Sequence, residues 1–363
     1  MPIVIDAHQD LAYNMLTFGR DYRRSVWETR KLEEGSPTVA RTGHTLLGWP
    51  QYQEGRVAII FGTIFILPPE RSSGSWDYLT YSSFAEARKL IWQQIDLYNA
   101  LTEANPELFL LVRSKPDLNG VLSLWEQDAA YGTDHPVGIV LLMEGAEGLE
   151  DVGDLEGLWE AGVRMIGPVW AGGRFCGGSH HPGEFTTEGY ALLKRMAEIG
   201  FTLDVSHMNE VSVLQALKFY QGPVIASHAN ARALLGGDTS ERHLTDEAIR
   251  MLCERDGVMG VLPYNKFLRT RWNPEDGRES VHLDLLVDHI DHICQIAGDA
   301  SHVGVGSDFD GGFGRHQVPN EIDSIADLQK IATLLVKRGY SSFEVEAVLS
   351  GNWRRYLERT LPA

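Results

Sequence analysis

The chain has 363 residues, 43% of them hydrophobic, with 32 basic and 50 acidic side chains and a formal charge of −18. That length supports a large core, and the acidic balance argues against partners such as nucleic acid or an anionic membrane surface. No apolar run approaches the roughly 18 residues of a transmembrane helix, and MPIVIDAHQD lacks the basic region and apolar core of a signal peptide, so a cytoplasmic location is expected.

The first predicted strand is 3–8 (IVIDAH), with His8 and Asp10 at its end; a spacing of two puts both side chains on one face. The second is 57–66 (VAIIFGTIFI), trailed by a polar loop at 67–83. FAEARKLIWQQIDLYNALTEA at 84–104 has apolar positions at helical spacing. The third strand, 138–144 (GIVLLME), ends on Glu144, and the fourth, 163–170 (VRMIGPVW), ends on Trp170. A glycine-rich loop at 171–185 carries His180 and His181. TTEGYALLKRMAEIG at 186–200 opens on threonine and closes on Gly200, both good helix limits. The fifth strand, 201–207 (FTLDVSH), and the sixth, 223–228 (PVIASH), each end in Ser-His. A helix follows at 245–257 (TDEAIRMLCERDG), then the seventh strand, 257–263 (GVMGVLP). LDLLVDHIDHICQIAG at 283–298 is helical, and the eighth strand, 302–308 (HVGVGSD), ends on Asp308. After residue 310 the chain closes in helices, including SIADLQKIATLLVKRG.

Continuous Val/Ile/Leu runs suit strands covered on both faces, and eight of them alternating with helices predict an α/β fold, a (β/α)8 TIM barrel. A doubly wound open sheet is the alternative. It is disfavoured because the nearest approach to GxGxxG, GVGSDFDGG, has Phe309 at the third glycine position. No Gly/Ser linker divides the chain, so one domain spanning 1–363 is expected. Cys176, Cys253 and Cys294 are widely spaced with no CxxC and predict reduced, mostly buried thiols.

In such a barrel all strand C-termini converge on one mouth. His8, Asp10, Glu144, His207 and His228 then become neighbours, although each taken singly reads as an ordinary structural residue. Together they offer imidazole and carboxylate donors for two divalent ions, zinc first, with manganese or iron also suited. Glu144 is the natural bridge across ions about 3.5 Å apart that share a hydroxide. Asp308 would face them and carry a proton from the water to a leaving amine; the competing reading is a turn aspartate beside Asp310-Gly311. Arg242 could grip a substrate carboxylate bidentately, or be a solvated arginine before a helix cap at Thr245. His289 and His292, at i, i+3, read as the charged outer face of a helix rather than a metal pair. A GxSxG elbow and a P-loop are absent.

These motifs resemble the membrane (renal-type) dipeptidases, the M19 branch of the amidohydrolase superfamily. The likeness is carried by DAHQDL (6–11), MEGAEGL (143–149), LDVSHMNE (203–210), VIASHANARAL (224–234) and GVGSDFDGG (304–312). It extends through LGWPQYQEGRVAIIFGTIFI (47–66) and EFTTEGYALLKRMAEIGFTLDVSH (184–207), and so covers nearly the whole chain. The resemblance implies a binuclear zinc dipeptidase that also cleaves dipeptides with a D-residue on the C-terminal side, and a homodimer. It implies that His8, Asp10 and Glu144 bind one ion and that Glu144, His207 and His228 bind the other. It further implies Asp308 as acid/base and Arg242, in ERHLTDE, as the clamp on the substrate's terminal carboxylate.

Trp170 stands where the family usually has a histidine that contacts substrate and stabilises the oxyanion. An indole donates one hydrogen bond but cannot become cationic, and losing an oxyanion donor typically costs about 10²–10³ in rate. Three outcomes stay open: Trp170 donates as a neutral group, His180 or His181 reaches in, or the substrate differs. The alternatives to a dipeptidase are accordingly hydrolysis of N-acyl amino acids or lactones, and a metal-binding protein with weak or no catalysis.

Overall fold

Uninterrupted aliphatic runs become strands buried on both faces in a computed structural model of the chain, which describes residues 1–127, 134–236 and 240–363. The strands are β1 (Val4–Gln9), β2 (Val57–Phe65), β3 (Phe109–Leu111), β4 (Val137–Glu144), β5 (Val163–Gly167), β6 (Thr202–Asp204), β7 (Val224–Ile225), β8 (Met259–Val261) and β9 (Val303–Val305). They pair in parallel in the order β7-β6-β5-β4-β2-β1-β9-β8. The two ends of this ribbon meet at Ala226. Its N–H donates to the Val258 carbonyl at 3.0 Å, and its carbonyl accepts from the Gly260 N–H at 2.8 Å. Eight staves thus close into the (β/α)8 TIM barrel that the strand–helix alternation predicts.

Two features depart from the sequence reading. β3 is a ninth strand that the aliphatic pattern did not reveal. It is three residues long and pairs only with β4, outside the ring of staves. The later staves are also shorter than their apolar runs. Regular pairing stops at Gly167, Asp204, Ile225 and Val305, so Trp170, His207, His228 and Asp308 sit on the turns beyond. A straight strand would keep pointing side chains alternately inward and outward. Curling out of the ladder lets them converge on the barrel axis instead.

The helices follow their capping signals. Ser83 caps Phe84–Ala104 by accepting from the Glu86 N–H, Thr186 caps Thr187–Ile199, and Thr245 caps Asp246–Glu254. The last ends three residues before the predicted limit, because Asp256, at φ 53°, turns the chain toward β8. On Phe84–Ala104 the buried stripe includes Leu90, Ile91, Ile95 and Tyr98. Burying each large apolar side chain contributes roughly 1.5–3 kcal/mol. The Tyr98 hydroxyl also donates to the Thr63 carbonyl at 2.9 Å, tying this helix to β2.

The barrel floor is sealed by the helix Asn352–Thr360. Trp353 is fully buried, donates to the Val305 carbonyl at 3.0 Å and packs edge-on against Phe61. Polar side chains gather at the other end, where the strands terminate. The three cysteines are free; Cys176 is buried and the other two are half-buried. Among the described residues, no helix is long and apolar enough to cross a membrane.

Candidate metal centre

β1 carries His8 to the mouth, and Asp10 follows at the start of helix Leu11–Phe18. Glu144 is the last residue of β4. His207 and His228 lie three residues past the ends of β6 and β7. The chain then returns on β9, where the Asp308 N–H donates to the His8 carbonyl at 3.0 Å and sets its carboxylate beside the cluster. His207 and Asp308 hold left-handed φ values of 68° and 57°. Such backbone is costly for residues with side chains and recurs at functional sites.

The five predicted donors do come together. Glu144 Oε1 lies 2.8 Å from His207 Nε2, 3.4 Å from His228 Nε2 and 3.7 Å from His8 Nε2. The Nε2 atoms of His207 and His228 are 2.9 Å apart. Two donor triads result, His8–Asp10–Glu144 and Glu144–His207–His228, each with ligand atoms within 4.8 Å of one another. Among the described residues, His8 Nε2 is buried with no hydrogen-bond partner. Orphaned buried polar atoms of this kind are expensive, and convergent imidazole and carboxylate donors suit a divalent cation. The donor set fits metal ions sharing Glu144.

A third group, His8–Asp204–His228, has the same spacing, but Asp204 is otherwise engaged. Its Oδ1 accepts from the Ser206 and Ser227 N–H groups at 3.0 and 2.9 Å, and its Oδ2 accepts from the Ser227 hydroxyl at 2.5 Å. The Ser227 oxygen in turn lies 3.2 Å from His8 Nδ1 and 2.8 Å from His228 Nδ1. Having given its proton to Asp204, it can only accept from the two rings. Both imidazoles therefore carry their proton on Nδ1 and keep the Nε2 lone pair for the cluster. The Ser-His repeat was the sequence signal for this arrangement, but nothing in it showed that one hydroxyl serves two histidines. Glycines make the fit possible: a Cβ at Gly260 or Gly306 would collide with the Ser227 carbonyl. On the other side Asp10 accepts from the Thr63 hydroxyl.

The site's charges depend on burial. Burial, then Arg242, pushes His207 down to about 4, and burial, then His8, holds His228 well below the usual imidazole range. Both rings are thus neutral, as ligands must be. Burial also opposes charge on His8, but Glu144 and its neighbouring carboxylates outweigh it and raise the ring's pKa. Burial lifts Asp10 to about 6 and Asp308 far above the carboxylate range. Without a cation the cluster favours an extra proton on His8 and on Asp308 and so is short of positive charge; a cation at the donors would supply it, leaving His8 its Nε2 lone pair and Asp308 free to ionise.

Around the cluster lies a cavity of about 460 Å³ that includes Asp10, Glu144, Trp170, His207, Arg242 and Asp308 in its lining. Arg242 is buried rather than solvated. One guanidinium nitrogen donates to the His228 carbonyl at 2.9 Å, while Nη1 is buried and has no partner among the described residues. Asp308 Oδ1 is 3.9 Å from His8 Nε2, and a Cβ at Gly311 would strike that carboxylate. Its neighbour Asp310 is the structural aspartate, bound by Arg20 at 3.0 Å, Tyr22 at 2.9 Å and the Leu46 N–H at 2.8 Å. Trp170 forms part of the wall against Phe65, His180 and His207. His180 reaches the cavity and His181 does not.

His289 corrects the sequence reading. It is buried, not on an outer face, and its Nδ1 accepts from the Ala231 N–H at 3.1 Å. The apolar stripe of Asp284–Ala297 includes it alongside Leu286, Ile290 and Ile293. His292 instead meets Asp246 at 2.8 Å, so the two do not form a metal pair. Sequence reasoning also missed Tyr13, Arg41, Arg71 and Trp76, which line the cavity from the helices Leu11–Phe18 and Pro37–Thr42, the turn Pro69–Arg71 and the segment after it.

The chain matches the family model "Membrane dipeptidase (Peptidase family M19)" over residues 1–361. It is 31% identical over 281 residues to an uncharacterized Klebsiella pneumoniae protein of the pqqA 5′ region, covering 74% of this chain and 95% of that one. It is 26% identical over 365 residues to dipeptidase verJ of Clonostachys rogersoniana, covering 98% and 83%. Among solved structures, the metallopeptidase dipeptidase AC of family M19 superposes with a TM-score of 0.75 at 25% identity, covering 100% and 99%. A Rhodobacter sphaeroides metallopeptidase, liganded with a phosphinate mimic of L-Ala-D-Ala, gives 0.78 at 24% identity, covering 99% and 100%.

Proposed function

Because the chain belongs to the membrane dipeptidase family, peptidase family M19, we propose that it hydrolyses small dipeptides at a pair of divalent ions, zinc foremost. The observation that carries this reading is the two donor triads sharing Glu144 at the barrel mouth, with Asp308 and Arg242 in the same cavity. His8, Asp10 and Glu144 would hold one ion, and Glu144, His207 and His228 the other. When bound, such ions polarise a carbonyl and lower the pKa of a shared water to about 7.

The chain's own residues supply the rest. Asp308, fixed through the His8 carbonyl and given room by Gly311, accepts the water's proton and returns it to the leaving amine. Arg242, which lines the cavity, would bind the substrate's terminal carboxylate, while its bond to the His228 carbonyl holds the guanidinium at a set distance from the donors. That distance places the scissile bond. Trp170 offers an aromatic face and one N–H from the wall. Dipeptides with a D-residue on the carboxyl side fall within the proposed class.

The test is a panel of L,L- and L,D-dipeptides assayed with zinc on wild type and His207→Ala. Turnover by wild type alone supports the reading, and rates no higher than the His207→Ala control refute it.

A further inference from the structure

The cavity carries more arginines than the proposed reaction uses. Arg242 answers the terminal carboxylate, yet Arg41 and Arg71 also line the same space. In this strongly acidic chain several arginines pair with acids, as in Arg88–Asp154, Arg174–Glu188 and Arg338–Asp288. Among the described residues, neither Arg41 nor Arg71 pairs with a carboxylate. The acid on that wall, Asp77, accepts a hydrogen bond from the Tyr13 hydroxyl at 3.2 Å, and burial raises its pKa.

Both arginines are set in place by their neighbours. The Arg41 guanidinium lies 4.7 Å from the centre of the Trp76 ring, and Trp76 packs on Phe18 at 5.6 Å. Stacking of this kind orients the planar fork and leaves its N–H edge available. Arg71 ends the short turn Pro69–Arg71 and faces His180, whose ring is depressed by burial and then by Arg71 itself. That ring stays neutral and adds no competing charge. Two unpaired forks and a neutral imidazole on the wall of one cavity form a receptor for an anion.

Resting on the dipeptidase reading, we propose that Arg41 and Arg71 form a side-chain subsite that selects substrates bearing an acidic side chain. The ligand chemistry is a carboxylate held by charge-assisted hydrogen bonds.

The experiment uses the zinc-loaded full chain and matched dipeptides that differ only as glutamate against glutamine, placed first at one position and then at the other. Wild type should favour the glutamate substrate at one position by roughly tenfold to a hundredfold in kcat/KM, mostly through KM. The double variant Arg41→Gln/Arg71→Gln should bring that ratio close to one. Equal rates for the pair at both positions in wild type, or an unchanged ratio in the double variant, would overturn the subsite. If no dipeptide is cleaved, the dipeptidase reading fails by itself, and calorimetry with free L-glutamate and L-glutamine judges the subsite. Tighter glutamate binding that the double variant abolishes supports it, and equal binding overturns it.

Discussion

Replacing Ser227 with alanine tests how the donors are held. Its hydroxyl reaches Asp204 Oδ2, His8 Nδ1 and His228 Nδ1 at 2.5, 3.2 and 2.8 Å. Without it both rings can flip or move the proton to Nε2, the nitrogen needed for coordination. A buried polar group left without a partner costs about 1–3 kcal/mol. Asp204 keeps its two backbone donors, so the metal-free fold should lose about 2 kcal/mol rather than the sum over three groups. Loss of an outer partner of a metal ligand typically weakens metal affinity 10- to 100-fold. Chelator competition would read the zinc affinity, and urea unfolding of the metal-free protein would read stability. A Ser227→Ala protein with wild-type zinc affinity and wild-type stability would refute the tautomer argument.

Two further outcomes are expected. Asp308→Asn keeps shape but cannot take a proton, so kcat should fall by about 10²–10⁴ with zinc content unchanged; stopped assays with metal analysis would show it, and a retained kcat would exclude the proton-transfer role. His289 is buried, and burial lowers its pKa from 6.5 to about 4. A group depressed in the folded state binds more protons when unfolded, so its contribution is complete above about pH 6.5 and is lost as pH falls toward 4. From pH 7 to 5 the loss should be about 2 kcal/mol, and His289→Gln should lack this part of the slope in urea titrations.

The staves and donors were legible because their physics is local. An aliphatic run such as Val57–Phe65, buried throughout, announces a strand, and a histidine or carboxylate at the end of such a run stands out. What was illegible depends on the chain's return in space. His289 looked like half of a surface pair, because i, i+3 spacing does not say which side of a helix faces the core. Asp204 and Ser227 are 23 residues apart, and only the β6–β7 pairing joins them. Arg41 comes from the six-residue helix Pro37–Thr42 before β2, and Arg71 and Trp76 from the stretch after it, segments too short or irregular for periodicity to mark which side chains face the mouth. Asp310, read with Gly311 as a turn pair, is buried and anchored by Arg20 and Tyr22, so the DG signal was correct about the turn and silent about the anchor.

The central claim is that hydrolysis depends on two ions sharing Glu144. Titrating zinc into metal-free protein while following dipeptide hydrolysis tests it most directly. The account predicts no activity without metal and a rate that rises until two equivalents are bound. Saturation at one equivalent, or hydrolysis that persists in the metal-free protein, would contradict it.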